Sequence, residues 1–153
     1  MQFKFKHSKI TFNTKAKLVN GLNVTFVFAE DAKSVYQELT KNPQAILVED
    51  LNKLSGLVVH NDTILMSLGA KSKFTSDGLV NVATSLAKFV ASREISEINL
   101  HLTNVHAEKL ALSYAELVEK FLVDFGNGLY YFDDFKTEKT KLALEKVHVS
   151  SDE

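Results

Sequence analysis

A short run of apolar residues places the tightest limit on what this chain can fold into. The segment 63–68 (TILMSL) would be apolar on both faces of a strand, and Gly69 ends it. A strand of this kind has to be covered on both sides, as in a parallel or mixed sheet between helices. Thr75 or Ser76 then caps a helix whose apolar residues recur at helical spacing. The segment therefore predicts one strand–helix unit of a covered α/β sheet.

The same pattern recurs along most of the chain. Phe3, Phe5, Ile10 and Phe12 alternate with polar residues and indicate an edge strand or hairpin. Other strands are predicted where β-branched and aromatic residues cluster, at 22–29, 95–102, 129–135 and 142–149, the last at an edge. Residues 45–48 and 56–59 are two further short apolar runs. Helices are predicted at about 32–39, with Asp31 as cap and Asn42-Pro43 as stop, and at about 105–125, closed by Gly126-Asn127-Gly128. Alternating strands and helices predict a three-layer α/β fold with a mixed sheet flanked by helices.

The length and charge of the chain narrow its organisation and its partners. Its 153 residues suit one compact domain, and no linker or repeat divides them, so we expect a single domain over 1–153. Cysteine is absent, which excludes disulfides and thiolate-bound metals and fits a reducing compartment. The net charge of −1 gives no general attraction for nucleic acid. Neither a signal peptide nor a membrane span is predicted.

One loop is a candidate for binding an anion. It joins the apolar strand to the capped helix and contains Gly69, Lys71, Ser72 and Lys73. Backbone N–H groups at the start of a helix, helped by two lysines, can hold a phosphate. The loop lacks the Gly-rich run and the Gly-Lys-Ser/Thr ending of a P-loop. We therefore favour an ordinary surface loop over a phosphate site.

Other chemistry-bearing residues give weaker patterns. His106 and Glu108 match only half of a zinc-deaminase signature, whose other half needs cysteine. His101 lies near them, whereas His60 and His148 look isolated. Asp133 and Asp134 would point to opposite faces of a strand and could not share a ligand. An aromatic run with nearby lysines could stack on nucleic-acid bases, but we favour packing in the core or at an interface. The run and its lysines are Tyr130, Tyr131, Phe132 and Phe135 with Lys136, Lys139 and Lys141.

Two segments resemble the N-terminal domain of the leucyl (cytosol) aminopeptidase family. Residues 63–75 are similar to that family's apolar strand, Gly-Leu-Gly turn, Lys-rich loop and Thr-capped helix, with Ser67 in place of the first Gly. Residues 128–137 (GLYYFDDFKT) are similar to its Tyr-x-Phe-Asp-x-Tyr-Lys-Thr ending, with Phe135 in place of the second Tyr. The order of the remaining elements also agrees, so the resemblance covers nearly the whole chain.

The resemblance implies a macro-domain-like fold and a role without catalysis. In that family the domain precedes a catalytic domain that binds two divalent metals, zinc or manganese, and removes N-terminal residues from peptides, usually as a cytoplasmic hexamer. The Asn-Thr-Asp-Ala-Glu-Gly-Arg metal-binding segment is absent here. We therefore expect no catalytic residue, metal ligand or cofactor in this chain. The expected partners are its own catalytic domain and neighbouring subunits of a homo-oligomer.

Two alternative functions stay open at the level of sequence. By analogy with macro domains the chain could be a stand-alone binding module for a nucleotide or ADP-ribose, but fold analogy is a weak warrant. It could also bind nucleic acid through a local basic patch, formed by Lys4, Lys6, Lys9, Lys15 and Lys17. An independent hydrolase has no motif to support it.

Overall fold

The structure is a computed structural model that describes residues 2–5, 8–15, 22–34, 50–60, 62–93, 95–105, 110–134, 144 and 146–150. Its strands are β1 (Gln2–Phe5), β2 (Ser8–Lys15), β3 (Leu22–Val27), β4 (Leu57–His60), β5 (Thr63–Ser67), β6 (Glu97–His101) and β7 (Lys146–Ser150). Its two long helices are α1 (Ser76–Ser92) and α2 (Tyr114–Asp134). No helix in the described part of the chain is both long and apolar enough to cross a membrane.

The strands form one mixed sheet in the order β1-β2-β7-β6-β3-β5-β4. The β1–β2 and β4–β5 pairs are antiparallel, and every pair between them is parallel. The predicted N-terminal hairpin is confirmed as β1 and β2. The prediction that the last strand lies at an edge is wrong, because β7 lies between β2 and β6. Its buried Val147 and Val149 fit this interior position.

Apolar residues alternate along the strands and supply both faces of the sheet. On one face, Phe26 of β3 packs edge-to-face on Phe121 of α2, with ring centroids 5.4 Å apart, in the larger core cluster under α1 and α2. A smaller cluster on the other face contains Val27, Ala32, Leu51, Val58 and Leu65. The predicted three-layer α/β architecture is confirmed.

Helix α1 begins as the sequence predicts. The Thr75 hydroxyl accepts a hydrogen bond from the Gly78 N–H at 3.2 Å, which satisfies one of the free donors of the first turn. Leu79, Val82 and Leu86 are fully buried in the predicted apolar stripe. The Thr75 cap therefore sets where α1 begins, and the apolar stripe sets which of its faces is buried.

Helix α2 differs from the prediction at both ends. Its first turn follows Ser113 instead of residue 105, and it continues through Gly126-Asn127-Gly128 to Asp134. A Cβ atom added to Gly128 would lie 2.8 Å from Ala87 Cβ of α1. Gly128 therefore permits a close helix crossing and does not end the helix. The strand predicted at 129–135 is wrong, since residues 129–134 are helical.

Smaller predictions have mixed outcomes. Asp31 lies inside a 3₁₀ turn (Ala29–Asp31) that leads into a helical segment starting at Ala32, so it is not that segment's cap. The rest of the predicted helix 32–39, and the apolar run 45–48, lie outside the described residues.

Candidate functional site

The sheet topology identifies one crevice where a ligand would be expected. After β3 the chain moves towards β5, on one side, and after β6 it moves towards β7, on the other. In open α/β sheets, ligands bind outside the carboxyl ends of the strands at such a reversal of order. Three described segments follow these carboxyl ends: residues 28–31 after β3, residues 68–74 after β5, and residues 102–105 after β6.

Backbone hydrogen bonds tie the first two of these segments together. The Ala29 N–H donates to the Gly69 carbonyl at 2.9 Å, and the Leu68 N–H donates to the Val27 carbonyl at 2.7 Å. Gly69 has φ +75°, a conformation that glycine adopts at no steric cost. The sequence prediction that Gly69 ends the strand is explained by this turn.

The Ser67 side chain stabilises this turn through two hydrogen bonds. Its hydroxyl is fully buried, donates to the Leu51 carbonyl at 2.7 Å and accepts from the Gly69 N–H at 3.0 Å. A glycine, which the aminopeptidase pattern has at this position, could make neither bond. The structure therefore gives the one departure from that motif a local role, which the sequence alone did not reveal.

The candidate anion loop is already in contact with acidic groups of the same chain. The Lys71 N–H lies 3.0 Å from Glu30 Oε2 and 3.3 Å from Oε1, so the Glu30 carboxylate accepts this backbone donor. Lys71 Nζ lies 3.0 Å from Asp31 Oδ2 and 5.9 Å from the centre of the Phe28 ring. The predicted anion donors at Lys71 are thus paired internally.

The other residues of the anion-loop prediction lie in the same short turn. Lys71, Ser72 and Lys73 form a 3₁₀ turn, and all three are exposed. The Lys73 N–H donates to the Ala70 carbonyl at 3.0 Å. The turn is too short to supply the helix dipole that favours phosphate at the start of a long helix. For Gly69, Lys71, Ser72 and Lys73, the favoured assignment as an ordinary surface loop stays a prediction, with phosphate binding as the weaker alternative.

His101 lies at the carboxyl end of β6, beside the crevice. It is the last residue of β6 and is partly buried, and burial lowers the pKa of its imidazole. A neutral imidazole can both donate and accept a hydrogen bond. His106 and Glu108, the other residues of the half-signature, lie outside the described residues, so their grouping with His101 stays untested.

A second polar cluster lies on the sheet face away from α1 and α2. His148 Nε2 forms a short contact with Glu97 Oε1, and the Asn99 side-chain amide donates to Asn23 Oδ1 at 3.3 Å. Register places Asn23, Asn99 and His148 side by side on β3, β6 and β7. The prediction that His148 is isolated is therefore wrong. The alternation of Glu97, Asn99 and His101 along one strand was the sequence signal for this polar face.

The polar cluster has limited chemical scope. His148 is buried, and its Nδ1 has no hydrogen-bond partner among the described residues. A carboxylate-oriented histidine is one part of many metal and catalytic sites. However, no group of three or more His, Cys, Asp or Glu side chains in the described part of the chain could hold a metal ion. The arrangement supplies one imidazole oriented by a carboxylate.

The acidic and aromatic candidates near residue 130 lie on a helix. Asp133 and Asp134 belong to the last turn of α2, so the strand geometry assumed for them is wrong. Tyr130, Tyr131 and Phe132 are in the same helix, whereas Phe135, Lys136, Lys139 and Lys141 lie outside the described residues. Of the basic patch, Lys4, Lys9 and Lys15 are in β1 and β2, and Lys6 and Lys17 lie outside the described residues.

Comparison with known proteins shows similarity of fold. No protein-family model and no curated protein sequence matches the chain. A mutant of tomato leucine aminopeptidase superposes with a TM-score of 0.61 at 14% identity, over 98% of this chain and 34% of that one. A mutant of the Oceanobacillus iheyensis macrodomain superposes with a TM-score of 0.64 at 11% identity, over 99% of this chain and 89% of that one.

These two similarities confirm the macro-domain-like fold and leave the function open. At such identities a shared fold does not carry an activity. The chain spans 34% of the aminopeptidase it matches, so it corresponds to one part of that protein. Membership of the aminopeptidase family, the hexamer, the zinc or manganese ions and the cytoplasmic location stay predictions.

Proposed function

We propose that this chain is a non-catalytic domain of a metal-dependent leucyl aminopeptidase and supports assembly of that enzyme. Removal of N-terminal residues from peptides would fall to a separate catalytic domain, which would also hold the two divalent metals. In this proposal the contribution of the chain itself is mechanical: the sheet and the two helices packed on it would carry the interfaces.

One observation carries this proposal over the binding-module alternative. The backbone N–H that would contact a phosphate at the switch point donates to Glu30, and the nearest lysine pairs with Asp31. A bound anion would have to displace one carboxylate and lie beside another, which like-charge repulsion disfavours. The crevice is therefore better suited to holding its own loops together than to holding a nucleotide.

The alternative keeps one specific support, the macrodomain that matches almost the whole chain. Calorimetric titration of the chain with ADP-ribose separates the two functions. We expect no heat of binding at high micromolar protein, and saturable binding would favour the nucleotide module. A peptidase assay with added manganese should show no turnover by this chain alone.

A second observation tests the aminopeptidase assignment directly. The reading frame that encodes this chain should continue into a catalytic domain carrying the Asn-Thr-Asp-Ala-Glu-Gly-Arg metal-binding segment. A stop codon directly after Glu153 would contradict the assignment to a part of a larger enzyme.

A further inference from the structure

One edge of the sheet carries a partly exposed strand without lysine, arginine or acidic residues. Among the described residues the sheet ends at β4, whose first three residues are Leu57, Val58 and Val59. The Val59 side chain is 50% exposed, although valine is usually buried. The opposite edge differs, because β1 contains Lys4 and pairs with Lys9 of β2. Lysines protect an edge strand against pairing with another chain, and β4 has none.

Two of these residues have backbone groups that point away from β5, and no described strand pairs with them. The Ser67 N–H of β5 donates to the Gly56 carbonyl at 2.8 Å, just before β4 begins. In an antiparallel pair, every second residue bonds to the neighbouring strand. Val58 and His60 therefore bond inward to Leu65 and Thr63, their register partners. By the same alternation, the N–H and C=O groups of Leu57 and Val59 point outward from the sheet.

We propose that β4 pairs with β4 of a second copy of this chain, antiparallel, about a two-fold axis at Val58. This register sets Leu57 opposite the partner's Val59, and Val59 opposite the partner's Leu57. Both residues on each side have outward backbone groups, so the pair closes with two hydrogen bonds at each of the two positions. The two sheets become one continuous sheet, and the exposed Val59 side chain gains an apolar neighbour.

Charges at the two ends of the strand favour this orientation. Lys53 precedes β4 and Asp62 follows it, and both are exposed. Antiparallel pairing brings the start of one strand to the end of the other. The Lys53 end of each copy therefore approaches the partner's Asp62, whereas parallel pairing would bring like charges together. A two-fold interface uses each such contact twice.

In the proposed function, the edge strand β4 is the surface through which copies of the chain assemble, and the biological meaning of the pairing rests on that function. The pairing itself is argued from β4 alone. The contact is small, so we expect a concentration-dependent dimer of the transient type. Sedimentation velocity on the full chain, from low micromolar to near-millimolar protein, should show a monomer shifting towards a dimer.

Two substitutions at equally exposed valines test the location of the contact. Val59→Lys places a charge in the centre of the paired strands and should weaken dimerisation at least tenfold. Val123→Lys makes the same change on α2, where the side chain is 46% exposed, and should leave dimerisation unchanged. Circular dichroism of both variants establishes that they are folded.

A charge-reversal series tests the orientation and does not depend on the Val59 variant folding. Lys53→Glu should weaken the dimer, and Lys53→Glu with Asp62→Lys should restore it. A chain that stays monomeric at every concentration, or a dimer that is indifferent to both Val59→Lys and the charge reversal, would overturn the inference. Either result leaves the ADP-ribose titration unaffected, so the failures of the two proposals can be told apart.

Discussion

Single residues in this fold have roles that depend on a neighbouring element. Gly128 is the sharpest case, because the added Cβ would lie 2.8 Å from Ala87 Cβ and 3.1 Å from Thr84 Cα. In an isolated helix, replacing glycine with alanine stabilises by about 1 kcal/mol. Overpacking of a tight contact costs about 1–3 kcal/mol, so here we expect the cost to exceed the gain.

Gly128→Ala should therefore lower the free energy of unfolding by up to about 2 kcal/mol, the difference between those two terms. Urea unfolding followed by circular dichroism measures it. Asn127→Ala is the matched control, because Asn127 is exposed on the same turn of α2; this change should be neutral or slightly stabilising. A stabilised Gly128→Ala protein would show that the helices do not cross as closely as described.

His101 links stability to pH. Burial lowers the pKa of its imidazole below the ordinary 6.5. As the pH falls through that ordinary value, the unfolded chain takes up a proton more readily than the folded chain. The contribution of the neutral His101 side chain to the free energy of unfolding is therefore fully present above about pH 6.5. It is lost as the pH falls through the lower pKa of the folded state.

His101→Gln should make the urea midpoint less sensitive to pH between 8 and 5. All other titrating groups are shared by the two proteins, so the difference between their pH profiles isolates His101. Identical profiles would mean that the imidazole is as accessible to protons in the folded chain as in the unfolded one.

At the scale of elements, the residues that cap a helix determine where it begins, and these residues lie next to the helix in the sequence. Thr75→Ala should cost about 1 kcal/mol by removing the acceptor of the Gly78 N–H. Thr75→Ser keeps the hydroxyl and should recover most of that loss in thermal unfolding. If alanine and serine destabilise equally, the cap does not contribute to the stability of α1.

The pattern Ser113-x-x-Glu116 likewise predicts the start of α2. The Glu116 N–H donates to Ser113 Oγ at 3.2 Å, and the Ser113 N–H donates to Glu116 Oε1 at 3.1 Å, the reciprocal pair of a capping box. Hydrogen bonds from Ser113 lower the pKa of the Glu116 carboxyl. Reading this signal would have placed the helix start correctly, in place of residue 105.

Other features could not be read locally. The glycines at 126 and 128 resemble a helix stop, yet the helix continues through both. At Gly128 the close approach of α1 gives the glycine a different role. Likewise, the alternation of Val147 and Val149 predicts a strand but not its place in the sheet. That place depends on β2 and β6, which lie far away in the chain. The contact of His148 with Glu97 depends on the same pairing.

At the scale of the whole molecule, the crevice at the reversal of strand order lies where α/β sheets bind ligands. Its anion donors, however, are paired with carboxylates of the same chain. The carboxylates of Glu30 and Asp31 come from the segment after β3, and the donors of Lys71 come from the segment after β5. The Lys71–Asp31 pair is 42% and 47% exposed, so it contributes little to stability. Removing both acids should thus leave the fold intact and release the anion donors.

The double variant Glu30→Ala with Asp31→Ala removes both acceptors and should gain binding of inorganic phosphate. The net charge changes from −1 to −1 + 2 = +1, so the control, Asp62→Ala with Glu119→Ala, makes the same change at exposed sites away from the loop. Phosphate at ten times its dissociation constant would stabilise the first variant by about 1.4 kcal/mol, visible as a rise in Tm. The natural chain and the control should show no such rise. Equal stabilisation of all three would mean that Glu30 and Asp31 do not occupy the loop, and the nucleotide module would become the better reading of this fold.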